Sequence, residues 1–149
     1  MSLEINIKKA HEYLEKFRAQ GVMHRIDGQD VSSDDHFKTI SPADHTALAQ
    51  VSRGGANEID QAAKAAKKAF ADWSGMTGKA RRDILHAVAD GIVAQAEEIA
   101  FVEAMDTGQT IRFMSKAAMR GAENFRFFAD QAPFAADGKS LFTSTQMNV

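Results

Sequence analysis

The chain contains no cysteine, so the thiolate nucleophile of Cys/His catalysis is missing from it. Serine remains available as a nucleophile, but no Gly-x-Ser-x-Gly elbow presents one. Five histidines stand at 11, 24, 36, 45 and 86, and no two are four apart, the spacing that sets two imidazoles on one helix face for zinc. By residue type they read as surface or partly buried side chains. Asp34-Asp35-His36 gathers groups that could touch a cation, or simply supplies polar residues to the turn before a strand. Gly54-Gly55 does not form a dinucleotide fingerprint, and no Walker-type phosphate loop occurs. Lys67-Lys68 and Arg81-Arg82 are basic pairs interleaved with acids; solvated helix faces explain them, and contact with nucleic acid is the remoter alternative.

Composition sets the frame for those residues. The 149 residues fit one domain, large enough to bury most of its apolar surface. A hydrophobic share of 44%, a charged share of 26% and only two prolines are globular values. Lys plus Arg number 18 against 20 Asp plus Glu, a net of -2, so no strong field draws the chain to nucleic acid or an anionic membrane. Ile84 to Val102 is broken by His86, Asp90, Gln95, Glu97 and Glu98, which excludes it as a spanning segment. No secretory signal is expected, since Glu4, Lys8 and Lys9 interrupt the first apolar residues. The lack of disulfide-forming residues suits a reducing cytoplasm.

Several elements are legible. Leu3, Ile7, Leu14 and Phe17 fall on one helical stripe, with Glu4, Lys8, Glu12, Glu15 and Lys16 on a wet face and Gly21 as a left-handed stop. Val22 to Ile26 and Gln29 to Val31 flank Asp27-Gly28, a hairpin turn pair. His36 to Ile40 and Thr46 to Ser52 read as a second strand pair around Ser41-Pro42-Ala43-Asp44. From Asn57 to Ala132 the pattern is helical. Asn57 is suited to cap, and Ile59, Ala63, Ala66, Phe70 and Trp73 form an apolar stripe. The next helix, Thr77 to Ala94, points Ala80, Ile84, Val88 and Ile92 inward, and Glu97 to Asp106 carries Ile99, Val102 and Met105. A last helix over Thr110 to Gln131 is expected to bury Ile111, Met114, Ala118, Phe125 and Phe128 before Pro133 stops it. Ser140 to Val149 reads as a strand without a following partner. The fold class expected is mainly α with a small N-terminal antiparallel β region.

The order of these motifs resembles the N-terminal region of NAD(P)-dependent aldehyde dehydrogenases. An Ile26-Asp27-Gly28 hairpin leads to Thr39-Ile40-Ser41-Pro42-Ala43, then to an alanine-rich helix ending in Ala69-Phe70-Ala71-Asp72-Trp73. Ala80-Arg81-Arg82-Asp83-Ile84-Leu85, Glu103-Ala104-Met105-Asp106-Thr107-Gly108 and Asn124-Phe125-Arg126-Phe127-Phe128-Ala129 follow in the family's order. Within the family, Ser52-Arg53-Gly54-Gly55, Glu58-Ile59 and the Asn124 to Ala129 run are similar to dehydrogenases of hydroxymuconic semialdehydes, including the 5-carboxymethyl-2-hydroxymuconate type.

The resemblance implies part of the α/β aldehyde dehydrogenase fold. Residues 1–21 would be an N-terminal helix, 22–139 the first, truncated part of a nucleotide-binding domain, and 140–149 the start of an oligomerisation strand. It implies a parent that oxidises a carboxylate-bearing semialdehyde with NAD or NADP. Arg120 is implied to lie by the substrate channel, where its fork suits a carboxylate; taken as a residue alone it reads first as an ordinary helix-surface arginine. Thr39, Ile40 and Asp106 are implied to hold a monovalent cation by oxygen ligands, against the alternative that Asp106 only bonds nearby backbone. The nucleotide site, base glutamate, cysteine and oxyanion asparagine of the family have no counterpart here. The chain by itself is therefore expected to bind no cofactor and to be inactive, a truncated product or fragment that self-associates or joins other dehydrogenase subunits. The rival expectation is a non-catalytic helical interaction domain or truncated paralogue.

Overall fold

The computed structural model describes residues 2–135 and, as backbone, 141–142 and 147–148. It is mainly helical with small antiparallel sheets, as expected. Helix α1 (Leu3–Gln20) starts at Ser2, whose hydroxyl accepts from the Ile5 amide, and stops at Gly21, whose φ of 71° only glycine adopts freely. The chain then runs beside β4 (Ala47–Ser52): the Val22 amide donates to the Gln50 carbonyl at 2.8 Å, and the Ser52 amide to the Val22 carbonyl at 2.9 Å.

The hairpin forms where its turn pair predicts. Strands β1 (His24–Ile26) and β2 (Gln29–Val31) pair antiparallel, and both Asp27 and Gly28 take positive φ, 49° and 75°. Strands β3 (His36–Ile40) and β4 (Ala47–Ser52) pair in a second antiparallel ladder with an irregularity between Thr39 and Ile40. Leu48 and Ala49 of β4, Ala10 and Leu14 of α1, and Ala100 and Phe101 of α4 (Ala96–Thr107) supply the buried apolar residues of this block.

Four further helices follow: α2 (Ala56–Gly75), α3 (Gly78–Ala94), α4 (Ala96–Thr107) and the short α5 (Ile111–Met114), then α6 (Ala117–Gln131) and a 3-10 turn, Ala132–Phe134. Asn57 does not cap α2. Gly55 occupies that position, and its amide donates to the Glu58 carboxylate at 2.7 Å, so the acid three residues on captures a free end amide. Thr77 caps α3 as its residue type suggests, accepting from the Ala80 amide at 3.1 Å. The single helix expected over Thr110 to Gln131 is two, because the chain kinks at Ser115 and Lys116, where the Ser115 hydroxyl donates back to the Arg112 carbonyl.

The stripes predicted to face inward are only partly covered. Helices α3 and α6 pack antiparallel through small residues, with Ala89, Ala122 and Ala129 fully shielded. Gly78 lies so close to the 3-10 turn that a Cβ there would meet the Ala132 carbonyl oxygen at 2.6 Å. Close approach through alanines rotates the larger residues outward: Ile84, Val88, Phe125 and Phe128 are exposed rather than buried. Leu3 and Ile7 of α1 are also exposed, while Leu14 is buried and Phe17 half-buried. On α2 no residue is buried, and Ile59 and Phe70 are 68% and 65% exposed. This helix touches the β1–β2 hairpin through its alanine side, Ala62, Ala65, Ala66 and Ala69.

The segment read as one unpaired strand over Ser140 to Val149 lies mostly outside the described residues. Where it is described, β5 (Leu141–Phe142) and β6 (Met147–Asn148) pair with each other, Leu141 opposite Asn148. Among the described residues, the backbone of this segment finds its ladder partner within the segment itself. No described helix is long and apolar enough to cross a membrane.

Candidate functional site

The junction between the β3–β4 turn and the end of α4 brings together residues far apart in sequence. The turn is fixed locally: the Ser41 amide donates to the Thr46 carbonyl at 2.8 Å, and Asp44 Oδ1 accepts from the Thr46 hydroxyl and amide at 2.8 and 3.2 Å. Those bonds, the Thr46 hydroxyl foremost, hold the Asp44 carboxyl below its ordinary pKa. Ser41 is buried, its hydroxyl accepting from the Ala43 amide.

Helix α4 meets this turn at its C-terminus. The Thr107 hydroxyl takes the Glu103 carbonyl at 2.6 Å, and Gly108 closes the helix with φ 73°, its amide donating to the Ala104 carbonyl. A Cβ on Gly108 would come within 2.8 Å of Pro42 Cγ, so glycine is required twice, by dihedral and by contact. The seating aligns Asp106 with β3: the Thr39 hydroxyl donates to Asp106 Oδ1 at 2.5 Å. Beside the pair lies a cleft of about 380 Å³ walled by Leu14, Phe17, Phe37, Leu48 and Val102, with Thr39, Glu103 and Asp106 at its polar edge.

Of the residues singled out for a cation, Thr39 and Asp106 thus meet directly, and Ile40 follows Thr39 at the ladder irregularity. Their donors are hard oxygens, the chemistry an alkali or alkaline-earth ion prefers, yet such an ion takes more oxygens than this pair offers. Among the described residues no group of three or more His, Cys, Asp or Glu gathers for a metal. Arg120 stands elsewhere, exposed on the first turn of α6, with its amide on the Lys116 carbonyl. No hydrogen bond or ion pair among the described residues joins it to Thr39 or Asp106.

The remaining candidates separate. His36 Nε2 lies 3.1 Å from the Ser32 hydroxyl while Asp35 pairs with Arg53 at 3.0 Å, so Asp34-Asp35-His36 does not converge. Lys68 reaches Asp27 of the hairpin turn at 3.5 Å. Arg81 and Arg82 are half-buried rather than fully wet: Arg81 donates to the Met76 carbonyl at 2.8 Å, satisfying the end of α2, and Arg82 binds Asp130.

Two polar ties went unread in the sequence. Asp130 Oδ1 accepts from Arg82 Nε and contacts His86 Nε2, each at 2.9 Å, while Arg126 forks to Asp90 at 2.8 Å and Glu123 at 2.9 Å, lacing α3 to α6. The His86 contact, then Arg82, holds the Asp130 carboxyl below its ordinary range, and the Asp90 and Glu123 carboxylates raise the Arg126 guanidinium. On the other side Lys9 and Tyr13 both donate to Glu97, at 2.5 and 2.7 Å, and Lys16 pairs with Glu98, tying α1 to α4. Lys9 first and Tyr13 second depress the Glu97 pKa, and the bond to Glu97 raises that of Tyr13. The i, i+4 spacing of Arg82 with His86 and of Arg126 with Asp130 was the available signal.

The pattern of the aldehyde dehydrogenase family matches residues 29–149. The chain is 38% identical over 110 residues to the 5-carboxymethyl-2-hydroxymuconate semialdehyde dehydrogenase of Escherichia coli, covering 73% of this chain and 24% of that protein. It is also 38% identical over 113 residues to the 2-hydroxymuconic semialdehyde dehydrogenase of a Pseudomonas species, covering 73% and 23%. The crystal structure of HpcC from Thermus thermophilus aligns with a TM-score of 0.86 at 33% identity, over 93% of this chain and 27% of that one. Betaine aldehyde dehydrogenase from Staphylococcus aureus in complex with NAD+ aligns with a TM-score of 0.78 at 26% identity, over 91% and 27%. The chain thus spans about a quarter of the length of the relatives it matches. In sequence pattern, relatives and fold alike, this chain belongs to the aldehyde dehydrogenase family.

Proposed function

We propose that this chain is the structural opening of an enzyme that oxidises a carboxylate-bearing semialdehyde to the acid with NAD or NADP. The observation that carries the reading is its 38% identity to two dehydrogenases of hydroxymuconic semialdehydes, joined to its family membership. The nicotinamide would accept the hydride when bound. This chain's own contribution is framework and orientation: with no cysteine, it holds no thiolate to attack the aldehyde. In this reading the segment is inactive by itself, resides in the cytoplasm, has no part in nucleic-acid or membrane binding, and associates with itself or with other dehydrogenase subunits.

Arg120 is assigned to the substrate's carboxylate. Its exposure on the first turn of α6 and its freedom from any partner among the described residues support the role, since a guanidinium already paired could not fork onto a ligand. Thr39, Ile40 and Asp106 are assigned to a cation through side-chain and backbone oxygens, a role supported by the approach of the Thr39 hydroxyl to Asp106. In an enzyme of full family length, Arg120→Ala is expected to lower kcat/KM for a carboxylate-bearing semialdehyde by a factor equivalent to roughly 1.5–3 kcal/mol. A neutral aldehyde should be spared. Equal losses for both substrates would return Arg120 to a purely structural role.

A second reading, a non-catalytic helical interaction domain, is favoured by one observation: α2 exposes its whole apolar stripe. The coding sequence downstream of Val149 separates the two. Continuation into a cysteine-bearing, glycine-rich segment supports the enzyme, and a stop codon supports the interaction domain.

A further inference from the structure

We propose that His24 is a proton-sensitive latch between the β1–β2 hairpin and the start of α2, seated while its ring is neutral and released when the ring takes up a proton. Among the described residues, His24 Nε2 is the one buried side-chain nitrogen or oxygen without a hydrogen-bond partner. The ring lies against Gly54: a Cβ there would meet His24 Cε1 at 3.1 Å, His24 Nε2 at 3.5 Å and Glu58 Cβ at 3.9 Å. This segment encloses the nitrogen by itself, so the enclosure does not depend on what a longer enzyme lays against it.

Neutral and charged rings fare differently in this seat. His24 as a whole is half-buried and its Nδ1 is not enclosed as Nε2 is, so a neutral imidazole carries its proton outward and turns a bare lone pair inward. An imidazolium carries a proton on both nitrogens, and the inner one then has neither acceptor nor water. The charged group that acts on the ring from α2 is Glu58. Its carboxylate attracts the imidazolium, but Oε2 already accepts from the Gly55 amide at 2.7 Å and Oε1 from the Asn57 side-chain amide at 3.4 Å. That attraction is screened by solvent, whereas the enclosed N–H is not. The hairpin's own charges, Arg25 and Asp30, pair with each other at 2.8 Å, and Arg53 beside Gly54 pairs with Asp35 at 3.0 Å. To find an acceptor, the protonated ring must leave its seat or draw Glu58 from the Gly55 amide. Either move loosens the first turn of α2 from the hairpin, while Lys68 on Asp27 holds the helix further along.

The seat belongs to the neutral ring, so the latch is closed at neutral pH and opens as pH falls through the window in which imidazoles titrate, about pH 8 to 5. Glu58 stays ionised throughout that window, because its carboxyl is held below the ordinary range, by the Gly55 amide first. The test is nitrogen-15 NMR of the full chain across the window, following the Gly54, Gly55 and Glu58 amides, with thermal denaturation at each pH. In the wild type the Gly55 amide proton is expected to move upfield as its bond to Glu58 is lost, and the denaturation midpoint to fall. In His24→Phe, which fills the seat and cannot be protonated, the amide should stay in place and the midpoint should fall less. His24→Asn, which is smaller and equally unable to titrate, supplies the same comparison where phenylalanine overfills the seat. A wild-type Gly55 amide that does not move, or one that moves equally in both variants, would overturn the latch.

Discussion

The block of α1, β3–β4 and α4 and the outer surface of α2, α3 and α6 use similar helical sequence patterns with opposite results. In the block, Leu14, Leu48, Ala49, Ala100 and Phe101 are buried where α1 packs on both β4 and α4, and Lys9, Tyr13 and Lys16 of α1 bond Glu97 and Glu98. On the outer surface, Ile59, Phe70, Ile84, Val88, Phe125 and Phe128 recur at equally helical spacings and stay exposed. Periodicity specifies that a helix has an apolar face; only another element decides whether that face is covered. The Thr39–Asp106 bond ties β3 to the end of α4 at the solvent-facing edge of this block, whereas Arg120 lies exposed on α6.

The contrast can be broken most forcefully by truncating one large residue on each side. Leu48 is 1% exposed, so Leu48→Ala is expected to destabilise the chain by about 2–5 kcal/mol, the loss of burial plus a cavity. Phe70 is 65% exposed, and Phe70→Ala should change monomer stability by no more than about 0.5 kcal/mol. Chemical denaturation of both variants at low concentration checks the pair. Comparable losses would mean that α2 is packed in solution after all.

A smaller effect sharpens the comparison of the two polar ties. Asp130 and Glu97 both have folded-state pKa values depressed, Asp130 by His86 and then Arg82, Glu97 by Lys9 and then Tyr13. A depressed carboxyl contributes stability that is present above its unfolded pKa, about 4, and is lost as pH falls through the folded value. Both ties are partly solvated, which keeps the effect modest. Denaturation midpoints followed from neutral pH to below pH 4 should fall less steeply for Asp130→Asn and Glu97→Gln than for the wild type. Parallel curves would show that neither carboxyl is tied in solution.

Much of this architecture is legible from local chemistry. Asp27-Gly28 names its hairpin, Gly21 and Thr77 name helix ends, and His36 to Ile40 with Thr46 to Ser52 gives the ladder, because each signal acts within a few residues. Asn57 has the residue type of a cap, yet α2 starts at Gly55, whose amide is satisfied by the Glu58 side chain rather than by a cap side chain of its own. On α6 Ala118 is buried as its place in the stripe predicts, but Ile84, Val88, Phe125 and Phe128 are exposed, because larger apolar residues look like core in isolation whereas the close antiparallel pairing selects Ala89, Ala122 and Ala129. Thr39 and Asp106 are separated by 67 positions, and nothing in spacing or composition joins them. Family resemblance supplied that link, and the fit of Gly108 against Pro42 supplies its physical basis.

The proposal that this segment frames chemistry it does not itself perform rests on its family membership and its lack of cysteine. The most direct measurement is the absorbance of reduced nicotinamide when the purified chain is mixed with a carboxylate-bearing semialdehyde and NAD or NADP. No aldehyde-dependent reduction above a protein-free control is predicted at any pH where the chain is folded. Turnover that persists through repurification would contradict the account, because it would require a nucleophile in this chain other than cysteine.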